Sequence, residues 1–139
     1  MKKLLLLLLA TVLGLIAGCD REKYAQHRSE RSKPYVAVTE HSVMVRRAPY
    51  PNLEILADGG LRVDDIAIPL KDEQREVLKT SFVKLQILRQ NTLTDAPGTG
   101  HYAQIVVPED VTAFPPNLPE LVPEFKRYGE ALGNLRAER

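Results

Sequence analysis

The hydrophobic pattern of the 139-residue chain changes its period several times. After Lys2 and Lys3 comes a nearly unbroken apolar stretch to Gly18, beginning with six consecutive leucines, Leu4 to Leu9. Asp20 to Pro34 then holds only Tyr24 and Ala25 as apolar residues. From Tyr35 the runs Tyr35-Val36-Ala37-Val38-Thr39 and Ser42-Val43-Met44-Val45 are β-branched and aromatic, and predict one or two short strands. Pro49 and Pro51 interrupt any ladder. Leu53-Glu54-Ile55-Leu56 and Leu61-Arg62-Val63 flank Asp58-Gly59-Gly60, whose glycines supply the positive φ of a tight hairpin. Ile66-Ala67-Ile68 follows a turn at Asp64-Asp65, so Leu53 to Leu70 reads as a small antiparallel meander.

A helical period takes over beyond Lys71. Asp72 is the expected cap, Glu73 adds negative charge where the helix dipole favours it, and the helix is predicted over Glu73 to Gln90. Leu78, Phe82, Leu85 and Leu88 form its apolar stripe, with Glu76, Lys79, Lys84 and Arg89 mostly on the other side. Asn91 to Gly100 reads as a turn-rich loop, and His101 to Val107 as a further strand. Five of the ten prolines fall between Pro108 and Pro123, which predicts an extended segment draped over the core through Phe114, Leu118, Leu121 and Val122. Phe125, Tyr128, Leu132 and Leu135 suggest a short C-terminal helix. The expected fold class is α+β: a small antiparallel β-meander packed against one main amphipathic helix, with a Pro-rich segment and a short C-terminal helix.

Composition divides the chain into three parts: residues 1–18, a tether over 19–34, and one small domain over 35–139. The 121 residues after Gly18 carry seventeen basic and eighteen acidic side chains, which excludes a nucleic-acid binder working by bulk positive charge. Asp20 to Pro34 has five basic residues against three acidic ones and too little apolar surface to offset its ordering entropy, so it is expected to be a flexible polar spacer. The domain has twelve basic and fifteen acidic residues. A single cysteine excludes an intrachain disulfide and any multi-cysteine metal site.

That cysteine acquires meaning from its position. Two lysines followed by an apolar run of about 15 residues form the n- and h-regions of a signal peptide, shorter than the roughly 20 residues that span a bilayer core. The run ends in Leu15-Ile16-Ala17-Gly18-Cys19. Ile16, Ala17, Gly18 and Cys19 together resemble the lipobox of bacterial lipoproteins. The resemblance implies a diacylglyceryl group on the Cys19 thiol, cleavage just before it, and an N-acyl chain such as palmitate on the new terminus. Small residues before the cysteine let an extended backbone enter a protease cleft, and two or more acyl chains make a stable anchor where one is marginal. It further implies that Asp20, directly after the lipidated residue, favours retention at the periplasmic face of the inner membrane, with the outer membrane as the other destination.

A second resemblance lies inside the domain. Asp58-Gly59-Gly60-Leu61-Arg62-Val63-Asp64-Asp65, Ile68-Pro69-Leu70 and Glu73-Gln74-Arg75 are similar to the hairpin-into-helix segment of the YggN-like periplasmic proteins. Lys71 stands where those proteins usually have a capping threonine, and Asp65 where they have a glycine. The resemblance implies an envelope location and no reaction.

Catalytic chemistry is not legible. His27, His41 and His101 are dispersed, with no helical pairing of metal ligands, although a zinc site from His41, His101 and a carboxylate is conceivable. Asp64-Asp65 reads as a solvated turn, Gly98-Thr99-Gly100 lacks the lysine and helix of a phosphate loop, and no serine sits in a nucleophile elbow. The expectation is a membrane-anchored, non-enzymatic interaction or assembly module. It has no catalytic, metal or cofactor-binding residues, no cofactor beyond the lipid on Cys19, and an envelope protein as its partner. The alternative is a small-ligand binder or unrecognised enzyme with a pocket at Thr94 to His101.

Overall fold

The computed structural model describes Arg28 and residues 33–139. Its compact units divide between Lys33 and Pro34, and the architecture below is that of the second unit. Seven strands form one sheet in the spatial order β5-β4-β3-β2-β1-β7-β6. They are β1 (Tyr35–Val38), β2 (Ser42–Arg46), β3 (Leu53–Leu56), β4 (Leu61–Val63), β5 (Ile66–Ile68), β6 (Tyr102–Gln104) and β7 (Leu135–Glu138). All pairings are antiparallel except β1 with β7. The main helix is α1 (Asp72–Asp95). Two short helices, α2 (Leu118–Leu121) and α3 (Gly129–Leu132), flank a 3-10 turn over Pro123–Arg127.

Local sequence explains the first five strands. The β1–β2 hairpin closes with the Thr39 N–H donating to Ser42 O at 3.0 Å, while the Thr39 hydroxyl oxygen accepts from the Ser42 N–H at 3.0 Å. In the β3–β4 hairpin the Gly59 N–H donates to Leu56 O, the Leu56 N–H to Gly60 O, and Gly59 sits at φ 79°. This is a tight turn ending in a left-handed residue, a conformation that costs glycine nothing. A Cβ at Gly59 would lie 2.1 Å from Arg75 O, so the hairpin tip also approaches the start of α1 too closely for any side chain. Asp64 and Asp65 both have positive φ, 45° and 68°, the geometry a two-residue hairpin needs to match strand twist. The solvated turn expected there is observed: both residues are exposed, and Asp64 Oδ1 accepts the Asn52 N–H at 2.8 Å.

Alternation along the strands sorts their side chains onto two faces. Val36 and Val38 pair across β2 with Val45 and Val43, those with Leu53 and Ile55 of β3, and on the other side with Leu135 and Ala137 of β7. With Leu61 these residues are buried at 2% exposure or less, and form one floor beneath the helical layer. The predicted stripe of α1 is the part of the helix that meets this floor: Leu78, Phe82, Leu85 and Leu88 are all buried, with Ser81 among them.

Polar anchors show how α1 lies. Arg75 meets Asp58 at the β3–β4 hairpin, the Gln86 amide donates to Thr39 O at the β1–β2 hairpin, and Arg89 Nε donates to Glu138 O at the end of β7. The helix therefore crosses the sheet along the end that carries those hairpins. The rest of the floor is covered by the C-terminal segment, where Phe114, Leu118, Val122, Phe125, Tyr128 and Ala131 join the same core. The Tyr128 hydroxyl donates to Pro51 O at 2.6 Å, and Gln74 Nε2 donates to Leu121 O at 2.6 Å, which ties this segment to the start of α1.

The α+β class holds, with four local corrections. Lys71, not Asp72, occupies the cap position of α1: Gln74 Oε1 accepts the Lys71 N–H at 2.9 Å, while Asp72 and Glu73 form the first turn. The helix runs on through Asn91–Asp95, the start of the expected loop, because Leu93 packs against the core and Pro97 is the first residue that opposes helix. The strand expected over His101 to Val107 is confined to Tyr102–Gln104. Leu135 does not belong to a C-terminal helix: it opens β7, which inserts between β1 and β6, while Phe125, Tyr128 and Leu132 sit on a broken series of helical turns.

Candidate functional site

One helical layer on a sheet leaves the second face of the sheet to be accounted for. That face takes Tyr35 and Ala37 from β1, Met44 and Arg46 from β2, Glu54 and Arg62 from β3 and β4, Arg136 and Glu138 from β7, and Tyr102 and Gln104 from β6. Arg46, Arg62, Tyr102 and Gln104 are exposed, and among the described residues no second layer covers them. Of the residues just named only Ala37 is buried, as a small residue lying between the long side chains of Met44 and Arg136.

Four of these side chains stack into a ladder across β6, β7, β1 and β2. The Arg136 guanidinium lies 4.8 Å from the Tyr102 ring centre and 4.2 Å from that of Tyr35. Arg46 approaches Tyr35 from the opposite side at 5.9 Å and donates to its hydroxyl at 3.1 Å. Nε and Nη2 of Arg46 also donate to Met44 Sδ. Each planar cation over a ring face is an attractive arrangement, which holds the long arginines extended along the sheet instead of free in solvent. On the neighbouring strands Arg62 and Glu54 form an ion pair at 3.6 Å.

A second aromatic and basic cluster sits at the end of the sheet where β1 begins and β2 ends. Arg47 and Arg127 both place their guanidinium carbons 5.1 Å from the Tyr50 ring centre. Tyr50 meets Tyr128 edge-on at 6.2 Å, and Arg47 donates to Arg127 O and pairs with Glu130 at 3.6 Å. Burial raises the Tyr128 hydroxyl above its ordinary pKa of 10.0, helped by Asp64 and opposed by Arg127 and Arg47.

Neither cluster was read from the sequence, although the signal was present. The outward positions of Tyr35-Val36-Ala37-Val38 and Ser42-Val43-Met44-Val45-Arg46 alternate with core valines, but their cross-strand partners in β6 and β7 could not be read. The residues that were singled out, Ile16, Ala17, Gly18, Cys19 and Asp20, lie outside the described residues, as does His27. His41 and His101 are both exposed, in the β1–β2 turn and before β6. Among the described residues no group of three or more His, Cys, Asp or Glu is placed to hold a metal ion. Residues 94–101 are exposed throughout. Among the described residues no helix is long and apolar enough to cross a membrane. No family model matches the chain, and no curated protein or solved structure matches it.

Proposed function

We propose that this chain is a lipid-anchored protein of the bacterial cell envelope whose folded part is a non-enzymatic interaction or assembly module, presenting to a partner protein the face of its sheet that no second layer covers among the described residues. Residues 1–18 act as the signal peptide, Cys19 carries the lipid, and Asp20 directs the protein to the periplasmic face of the inner membrane. The fold and sequence resemble nothing that would assign a reaction. The observation that carries the reading is the Tyr102–Arg136–Tyr35–Arg46 ladder on an exposed sheet face. Tyrosine and arginine are the side chains that most often dominate protein interfaces, because each buries a large flat surface while keeping polar groups at its edge. With Arg46 exposed on the face, the partner is expected to offer acidic groups.

Two measurements test the two halves of the reading. Intact mass of the mature protein is expected to show cleavage before Cys19 plus acyl mass, both lost in Cys19→Ser; a serine variant still cleaved at the same bond and still membrane-bound refutes the lipid anchor. A photo-crosslinking residue at position 102 in cells is expected to capture one reproducible envelope protein, and capture to weaken in Arg46→Glu. Equal capture from position 79, on the exposed side of α1, refutes the assignment of the face.

A further inference from the structure

The basic and aromatic rim around Tyr50 is distinct from the ladder and lies where the chain enters the fold. Tyr35, the first residue of β1, pairs directly with Arg46, the last of β2, so Arg47 lies at the same end as Pro34, from which the chain leads back to Cys19. Asn134 Nδ2 donates to Pro34 O at 2.9 Å, which fixes that entry point on the domain. Fourteen residues separate Cys19 from Pro34, a contour of about 50 Å that averages nearer 20 Å for a flexible chain. An acylated Cys19 therefore keeps this end of the domain within reach of the headgroups.

We propose that the Arg47–Tyr50–Arg127 rim docks the domain on anionic phospholipid headgroups of the bilayer that holds its anchor; this rests on the lipid-anchor reading above. The charge argues for it. Although the domain as a whole has more acidic than basic residues, Arg47 and Arg127 converge here on Tyr50, and the exposed Lys126 precedes Arg127 in the chain. The acidic groups facing it are Glu130, paired with Arg47, and Asp64, whose carboxylate accepts the Asn52 N–H. The aromatic component fits as well. Tyrosine, apolar in its body and polar at its tip, concentrates at membrane–water interfaces, and arginine stems lie along apolar surface while their heads reach phosphate. Two guanidinium groups lie over the Tyr50 ring, that of Arg47 held by Arg127 O and Glu130 and that of Arg127 exposed, and arginine's planar fork is suited to phosphate oxygens. Docking here would leave the Tyr–Arg ladder on an adjoining surface, available to a protein.

The test uses the full mature chain in vesicles with brominated acyl chains, made of phosphatidylcholine with or without phosphatidylglycerol. The protein has no tryptophan, so Ala48→Trp reports from the rim and His41→Trp from the opposite end of the sheet. Fluorescence of the Ala48→Trp probe is expected to be quenched more than that of His41→Trp, and only with phosphatidylglycerol present. Combining Arg47→Gln with Arg127→Gln is expected to lower the docked-to-undocked ratio up to roughly 30-fold, the joint effect of two basic residues at an anionic surface. Glu130→Gln is expected to raise it, which separates docking from any loss of folding in the double variant. Equal quenching of both probes, or the same quenching without phosphatidylglycerol, overturns the proposal. Intact mass of the same samples reads the acyl anchor separately, because the two probes compare the ends of the domain however the N-terminal segment is held.

Discussion

The two faces of the sheet are built from alternate residues of the same strands, yet they obey different rules. On the covered face Val36, Val38, Val43, Val45, Leu53 and Ile55 are fully buried and carry no polar atom, so their contribution is transfer out of water, roughly 1.5–3 kcal/mol per large side chain. On the open face Tyr35, Met44, Arg46, Tyr102 and Arg136 satisfy one another through cation–ring contacts and hydrogen bonds that each contribute little. The first face makes the fold and tolerates few changes. The second costs little to alter, so its composition is open to being set by what it contacts.

This difference can be broken or sharpened by substitution. The largest effect is expected on the covered side: Phe125→Ala, at a fully buried ring in the 3-10 turn, should destabilise the domain by about 3–5 kcal/mol in urea unfolding, the range for emptying an aromatic core site. A loss below about 1 kcal/mol would mean that the C-terminal segment is not part of the cooperative core.

Next comes the contact between the hairpin and the helical layer. Gly59→Ala combines a positive φ with a Cβ driven into Arg75 O, and is expected to cost about 1–3 kcal/mol. Gly133→Ala, where a Cβ meets nothing within 4 Å, is the control and should leave the urea midpoint nearly unchanged.

A smaller effect is expected at Tyr128, a core residue whose ring meets Tyr50 at the end of the sheet. Tyr128→Phe removes the hydrogen bond to Pro51 and should cost about 1 kcal/mol at neutral pH. Its pKa is raised in the folded state, so the neutral hydroxyl is favoured by folding. That stabilisation is fully present below pH 10.0, the ordinary value, and is lost as pH rises from there through the folded-state pKa. Wild-type stability is therefore expected to fall more steeply than that of Tyr128→Phe above pH 10.0, measured by urea unfolding across that range.

The smallest effect is expected on the open face. A double-mutant cycle of Tyr35→Leu and Arg136→Met should give a coupling of about 0.5–1 kcal/mol, typical of an exposed cation–ring pair. A coupling above about 2 kcal/mol would show that the ladder is a structural element and remove the contrast between the faces.

Much of the fold was legible because its determinants are local. Hairpins announce themselves by residues that accept positive φ, as at Gly59, and a helix by side chains that meet one turn apart, as Leu78, Phe82, Leu85 and Leu88 do. The end of α1 is not legible in the sequence because Asn91 to Asp95 has weak intrinsic preference and is held helical by the packing of Leu93. Of the candidate sites, the proposed lipobox at Ile16 to Cys19 is the one whose signal is a short linear motif. The ladder could not be read, because Tyr35, Arg136 and Tyr102 lie far apart in the chain and meet only in the sheet.

By itself, then, the sequence determined the antiparallel meander over Leu53 to Leu70, the strand character of Tyr35 to Val45 and the stripe of α1, all written within short stretches of chain. Tertiary structure alone decided that Leu135–Glu138 is a strand. A four-residue segment following Gly133 and Asn134 has no preference strong enough to fix its state, and it becomes β7 because β1 and β6 supply backbone partners on both sides. That insertion is what brings Arg136 between Tyr35 and Tyr102, so the most distinctive surface of the domain exists only through a pairing between the two ends of the folded chain.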